Sequence, residues 1–582
     1  MELSFSSRRS AVVCQNGCVA TSQPLASEIG LRVLQRGGNA ADAAVAACAA
    51  LNVTEPCQSG IGGDAFCLYY DAASKTVRGL NGSGRSPAAL GLDVGAARGG
   101  PGGTAAVGGM LDEASAHCVT VPGAAACWVD AVEGFGRLTV GEVLGPAIDL
   151  ADGGFPVHGV AAKLWEAKAP QLLDRWGGLA GNPGAASLLM EDGTPPRCGD
   201  VLRNGALADT FRALRDSGKR GFYEGRVAEA IVSAVRAKGG LLSLDDLRAH
   251  DTERVEPISA EFRGKTVWEL PPNGSGLVAL HALRTLDGLP PAPRDVDDAE
   301  SLHRLVEALK LAFRDGLATV GDGAPPPEDV RALLRDEAAF AARRERVSSR
   351  GTAKGTTSCV PGLTALGTDT VYLAVVDGDG NACSFICSNY CAFGSGLVPP
   401  GCGFSLHNRG FNFVLTPGHP NCLGPSKRPY HTIIPGMVTD DDGAFFAAFG
   451  VMGGFMQPQG HVQVLTNVLD RAMDPQAALD APRFCIAPSE RAASLQTGVD
   501  DVDVHLEAGF SDATADDLQR RGHSVVRGVA SYGRFLFGRG QVILARGRSK
   551  KRKRGGGDKG EPARAVFWAG SDPRGDGMAV GY

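Results

Sequence analysis

Apolar and polar positions follow two different periods along this chain. Residues 24–36 and 40–51 carry apolar side chains at helical spacing, with Gly37-Gly38-Asn39 as the break, so two helices are predicted. Residues 43–51 are apolar nearly all round, which predicts a buried helix. A glycine-rich turn over 58–64 leads into a strand over 65–71, and 93–110 reads as a glycine/alanine loop. From 121 to about 255 the pattern is mostly helical, with surface loops around 176–199. A strand over 265–270 precedes Pro-Pro-Asn-Gly-Ser-Gly and another helix, and 297–317 and 327–347 are helical with charged outer faces. Residues 350–361 are polar and rich in Gly, Thr and Ser, and commit to no element.

The pattern then changes. Thr370-Val-Tyr-Leu-Ala-Val-Val-Asp377 is apolar and β-branched, the signature of a buried strand. Gly378-Asp379-Gly380 is a turn, and 381–388 returns alongside. Further strands are predicted at 427–438, 445–450, 524–529 and 541–546, with helices at 461–470 and 475–481. The first two-thirds is therefore predicted to be mainly helical and the last third rich in strands, an α/β (α+β) chain without internal repeats.

Composition narrows the functions. Of 582 residues 80 are glycine, yet there is no Gly-X-Y period and proline is ordinary at 34, so the chain is neither collagen-like nor disordered. The net charge of −6 gives no general reason to bind nucleic acid or an acidic membrane. The basic run 550–554, inside the low-complexity insert 546–560, resembles a nuclear-localisation patch but reads more simply as a solvated loop. No apolar run approaches the roughly 18 residues of a membrane span, and the N-terminus lacks the apolar core of a secretory signal. A cytoplasmic enzyme is expected, with nuclear or organellar targeting left open. The 15 cysteines include Cys383, Cys387 and Cys391 at four-residue spacing, but no CxxC pair or HExxH run, so buried thiols are expected rather than a metal.

The candidate chemistry lies at the junction Gly367-Thr368-Asp369-Thr370, where an uncommitted polar stretch meets a rigid strand. A threonine hydroxyl is a poor nucleophile unless a base adjoins it, and cleavage before it frees its own α-amine for that task. With the turn centred on Asp379, Thr370 and Ser388 face each other across the hairpin, so the serine hydroxyl can fix the threonine rotamer. Gly450-Val451-Met452-Gly453-Gly454 follows a strand and precedes a helix, leaving backbone N–H groups open to a developing oxyanion. Each feature alone also has a purely structural explanation. No GxSxG elbow or strand-to-helix GxGxxG is present, and Ser259 stands where a P-loop ending at Gly264-Lys265-Thr266 needs its first glycine.

Together and in this order, the features resemble the gamma-glutamyltranspeptidase family of N-terminal-nucleophile hydrolases. The resemblance rests on GGNAADAAVAACAALNVTEP, SGIGGDAF, VPGAAACW, KRGFYEGRVAEAIV, GGLLSLDDL and ELPPNGSG before the junction. After it come DTVYLAVVDGDGNACSF, FGSGLVPPGCGF, HNRGF, KRPYHTIIPGMV, GVMGGFMQPQGHVQV, DAPRF and SDPRGDGMAVGY. It implies a four-layer αββα sandwich and a precursor that cuts itself between Asp369 and Thr370. The products are a large subunit, 1–369, and a small one, 370–582, within one folding unit. Thr370 is implied as nucleophile, Ser388 as its support, and the N–H groups of Gly453 and Gly454 as the oxyanion hole. Thr368 is the nearby rival, but counting back from Val375-Val376-Asp377 in the family pattern lands on Thr370. No cofactor or metal is implied. The partners are a small-molecule amide, water or an amine acceptor, and the two fragments themselves, with no nucleic acid or membrane and a homodimer left open.

The departures concern substrate. Asn412 stands where glutathione-cleaving members hold the α-amine with an aspartate, and His431-Thr432 where they hold the α-carboxylate with Ser-Ser. Tyr390 replaces a small polar pocket residue, and Arg85 is shifted by two places from the carboxylate-gripping arginine. The variant set resembles a divergent branch that includes glutathione-hydrolase-like proteins and oxamate amidohydrolase. His431 with Arg85 is a candidate carboxylate site, which suits a short dicarboxylic monoamide. Three functions stay open: a gamma-glutamyl or small carboxylated amide hydrolase/transferase, an oxamate-like amidohydrolase without gamma-glutamyl specificity, and an inactive binding protein on the same fold.

Overall fold

The computed structural model describes residues 9–96, 110–347, 351–352, 368–489, 502–548 and 565–582. Two antiparallel seven-stranded sheets lie face to face. One runs Met578–Gly581, Cys18–Thr21, Thr368–Val376, Ala382–Cys391, Asp64–Asp71, Thr76–Gly82, Glu253–Val255. The other runs Val12–Cys14, Ala565–Ser571, Arg539–Arg548, Phe445–Met452, Gly436–Thr439, Lys265–Glu269, Ile258–Phe262.

The strand Thr368–Val376 explains its own composition. Val371, Leu373 and Val375 enter a core shared with the helices Pro24–Gln35 and Ala40–Thr54. Tyr372, Ala374 and Val376 enter a second core between the sheets. Burial on both faces removes the polar alternation of an exposed strand. The other sheet repeats the arrangement: Ala447, Phe449 and Val451 face the helices Gly276–Asp287, Ala299–Thr319 and Met456–Leu469, while Ala448 and Met452 face the first sheet. Helix, sheet, sheet and helix make the four-layer αββα sandwich.

Local signals set the element ends. Asn39 caps Ala40–Thr54 by accepting from the Ala41 and Asp42 N–H groups, and Asp42 accepts from the Asn39 N–H in return. The helical stretch 327–347 forms two helices, because Asp336 ends Pro327–Arg335 and caps Glu337–Arg346 through the Ala339 N–H at 3.0 Å.

The region before residue 368 is mainly helical, as expected, and it also supplies seven of the fourteen strands in the two large sheets. The structure corrects the expected strands in two places. The strand predicted over 427–438 shrinks to Gly436–Thr439, and the residues before it are held largely by side-chain hydrogen bonds, as when Asn421 Oδ1 accepts from the Tyr430 N–H. A small sheet of Phe484–Pro488, Val502–Glu507 and Ser524–Val529 was predicted only in its last strand. The strands Arg539–Arg548 and Ala565–Ser571 pair antiparallel on either side of the basic insert, whose run 550–554 lies outside the described residues. Among the described residues no helix is long and apolar enough to cross a membrane, every cysteine is a free thiol, and only Cys198 is exposed.

Candidate active site

Thr370 sits at the beginning of the central strand, 1% exposed. The hairpin register pairs Val371 with Cys387 and Asp369 with Tyr390, so the returning strand carries one extra residue opposite Thr370. This bulge brings Ser388 against the threonine, whose Oγ1 donates to Ser388 Oγ at 3.0 Å. The same serine oxygen accepts from the Tyr390 N–H at 2.9 Å and from Arg409 Nη2 at 3.0 Å. Tyr390 holds a left-handed φ of 74°, a conformation that costs a bulky residue energy and is kept only where its surroundings enforce it. Its ring lies under the Arg409 guanidinium, 4.3 Å from centre to carbon.

Arg409 begins a short 3₁₀ turn, Arg409–Asn412, that also carries Asn412. Its Nη1 donates to Thr432 Oγ1 at 2.8 Å. Asn412 Nδ2 donates to the Tyr430 carbonyl at 3.0 Å, while its Oδ1 has no partner among the described residues.

His431 faces Asp64. Its Nε2–H donates to Asp64 Oδ2 at 2.9 Å, and its Nδ1 accepts from the Ile433 N–H at 3.3 Å, the pattern of a neutral ring. Burial, with Arg409 nearby, pushes the imidazole down to about 3. Burial works to raise the Asp64 carboxyl, but His407, His431 and Arg409 outweigh it and hold it below the ordinary carboxylate range. Asp64 Oδ1 also accepts from the Gly84 and Gly123 N–H groups at 3.1 and 3.2 Å. Arg85 lies elsewhere, partly exposed, in an ion pair with Asp322 at 2.6 Å. His431 and Arg85 thus belong to separate groups, each with its own carboxylate.

The glycine pair follows a strand of the facing sheet. The strand Phe445–Met452 runs into Gly453 and Gly454, with φ of 131° and 54°, and then into the helix Met456–Leu469. Only glycine adopts both conformations readily. Their carbonyls accept from the Met456 and Gln457 N–H groups and so open the helix. The strand packs closely on Thr368–Val376: a Cβ on Gly450 would lie 2.5 Å from the Tyr372 ring. For Asp369 the backbone register is described but not the side chain.

Sequence reasoning missed three residues here: Arg409, Asp64 and His407. All lie in or beside quoted motifs, HNRGF and SGIGGDAF, but a buried arginine or aspartate has no spacing signature of its own. Away from this site, His303, Glu307 and His523 form a buried cluster with metal-ligand chemistry. It is held by a His303–His523 hydrogen bond of 2.7 Å and a Glu307–Lys310 ion pair of 3.0 Å.

Comparisons with known proteins identify relatives along the whole chain. The family model for gamma-glutamyltranspeptidase matches residues 26–582. The glutathione hydrolase-like YwrD proenzyme of Bacillus subtilis (strain 168) is 34% identical over 571 residues, covering 98% of this chain and 99% of its own. The oxamate amidohydrolase proenzyme of Klebsiella pneumoniae is 32% identical over 587 residues, covering 98% and 100%. Among solved structures, a cephalosporin acylase from Bacillus halodurans superimposes with a TM-score of 0.83 at 40% identity, covering 99% of this chain and 97% of that one.

Proposed function

The chain belongs to the gamma-glutamyltranspeptidase family, and from that premise we propose that it is a precursor that opens its own peptide bond between Asp369 and Thr370. Residues 1–369 and 370–582 then form one enzyme, an N-terminal-nucleophile hydrolase that opens a small carboxylated amide.

In this reading the Thr370 hydroxyl oxygen bonds to the amide carbonyl carbon while its proton passes to the freed α-amine of Thr370. The N–H groups of Gly453 and Gly454 receive the charge on the carbonyl oxygen. The C–N bond breaks as the ammonium returns the proton to the leaving amine, which leaves an ester on Thr370. Water or an amine attacks that ester and restores the hydroxyl. Ser388 holds the threonine rotamer throughout. A cytoplasmic setting is supported by the free thiols of the described cysteines.

The observation that carries the reading is the 3.0 Å hydrogen bond from buried Thr370 to Ser388 at the bulged start of the central hairpin. An oxamate-like amide is favoured over a gamma-glutamyl one by Asn412, which is neutral and so offers no charge to an α-ammonium group. The test is ammonia or amine release from oxamate and from a gamma-glutamyl amide by the wild-type chain and Thr370→Ala. Loss of both processing and release in the variant is expected, and release by an unprocessed Thr370→Ala chain refutes the nucleophile.

A further inference from the structure

Three arginines are among the largest fully buried side chains: Arg409, Arg483 and Arg574. Two have buried carboxylates. Arg483 pairs with Asp572 at 2.7 Å, and Arg574 pairs with Asp572 at 3.0 Å and also with Glu507. Arg409 has none within ion-pair distance among the described residues. It donates only to the hydroxyls of Thr432 and Ser388, and its Nε has no partner. Two of its five N–H groups are therefore spent. Asp64 acts on it only through space: that carboxylate is outside ion-pair distance, and its oxygens accept from His431 and from the Gly84 and Gly123 N–H groups.

A buried guanidinium with no carboxylate in contact is costly, and burial pulls this one down to about 10 against the raising effect of Asp64, which still leaves it charged at neutral pH. Its place shows what would balance it. Arg409 Nη2 and Thr370 Oγ1 both lie 3.0 Å from Ser388 Oγ, so they are no more than two hydrogen bonds apart. The Tyr390 ring holds the guanidinium plane from one side.

We propose that Arg409 is the carboxylate anchor of the active site, and that the acyl group carries a carboxylate a few bonds from the scissile carbonyl with no ammonium beside it. The inference rests on Thr370 as nucleophile. A carbonyl carbon in attacking position lies about 3 Å from that hydroxyl, so a carboxylate on Arg409 belongs to a short acyl group. The same cation repels a neighbouring ammonium, and Asn412 on the same turn is neutral. The substrate class is a short dicarboxylic monoamide, and a gamma-glutamyl group is disfavoured.

The test uses the processed wild-type enzyme and Arg409→Gln and Arg409→Lys, with ammonia release as readout. The probes are oxamate and succinamate against their neutral diamides, oxamide and succinamide, with glutamine as the ammonium-bearing arm. Wild type is expected to favour each carboxylated amide over its diamide by at least about 100-fold in kcat/KM. Arg409→Gln should cut that ratio to within about tenfold, mainly through KM, and Arg409→Lys should keep part of it. Oxalate or succinate should inhibit wild type competitively where the diamide does not, which tests the anchor even if Arg409→Gln fails to process. An unchanged ratio in Arg409→Gln, a wild-type preference for diamide or glutamine, or no inhibition by either dicarboxylate overturns the inference. An active Thr370→Ala chain would instead overturn the nucleophile on which it rests.

Discussion

At the scale of single residues, Ser388 links three parts of the site, because Thr370, Tyr390 and Arg409 all donate to its one oxygen. Ser388→Ala is expected to lower kcat and the processing rate about 10- to 100-fold with little change in KM, while Ser388→Thr restores most of both in steady-state assays. Glu55 is a second residue with a measurable signature. It is buried, accepts from Ser22 Oγ at 2.7 Å and Gln23 Nε2 at 2.9 Å, and burial raises it to about 7. A carboxyl raised in the fold contributes stability below its unfolded pKa of about 4.3 and loses it as pH rises through 7. Glu55→Gln should therefore gain stability relative to the parent as pH goes from 5 to 8, by up to about 3 kcal/mol. Urea midpoints on the uncut Thr370→Ala chain measure this difference. His431, held near 3, works in the opposite sense: its contribution is present above about 6.5 and is lost as pH falls. Thr370 and Ser388 were legible in the sequence because hairpin arithmetic aligned them. The surroundings of His431 and Arg85 were not, because Asp64 and Asp322, far away in the chain, claim those side chains only once the chain is folded.

At the scale of elements, strands buried on both faces were the most legible, since a run such as Val371–Val376 has one reading once flanked by a turn. Short strands were lost. Cys18–Thr21 is four residues long, too short for any period to show, and it earns its place by pairing with both Thr368–Val376 and Met578–Gly581. Residues 427–435 failed for another reason: Tyr430, Ile433 and Ile434 are buried, but two of their backbone N–H groups bond to the side chains of Asn421 and Gln457 rather than to a neighbouring strand. Packing between the sheets makes a direct prediction. Gly450→Ala places a methyl against the Tyr372 ring, which is itself fixed by a 2.8 Å bond to Ser384. A cost of about 1–3 kcal/mol follows, read as a lowered melting temperature.

At the scale of the whole molecule, the two parts of the precursor cannot be separate domains. Strands from 1–369 and 370–582 alternate within both large sheets, as where Asp64–Asp71 pairs with Ala382–Cys391 and Gly436–Thr439 with Lys265–Glu269. The cut fragments should co-elute on native size-exclusion chromatography and separate only in denaturant. Replacing residues 549–560 by a short glycine-serine turn should leave processing and amidase activity within about twofold of wild type, since the flanking strands already pair across the junction. The central claim is that this chain matures into an enzyme whose nucleophile is an N-terminal threonine. Intact-mass measurement of the purified wild-type protein tests it most directly. Two polypeptides are expected, the smaller beginning at Thr370 and ending at Tyr582, and a single uncut species in Thr370→Ala. A fully active wild-type protein that remains one uncut chain would contradict it.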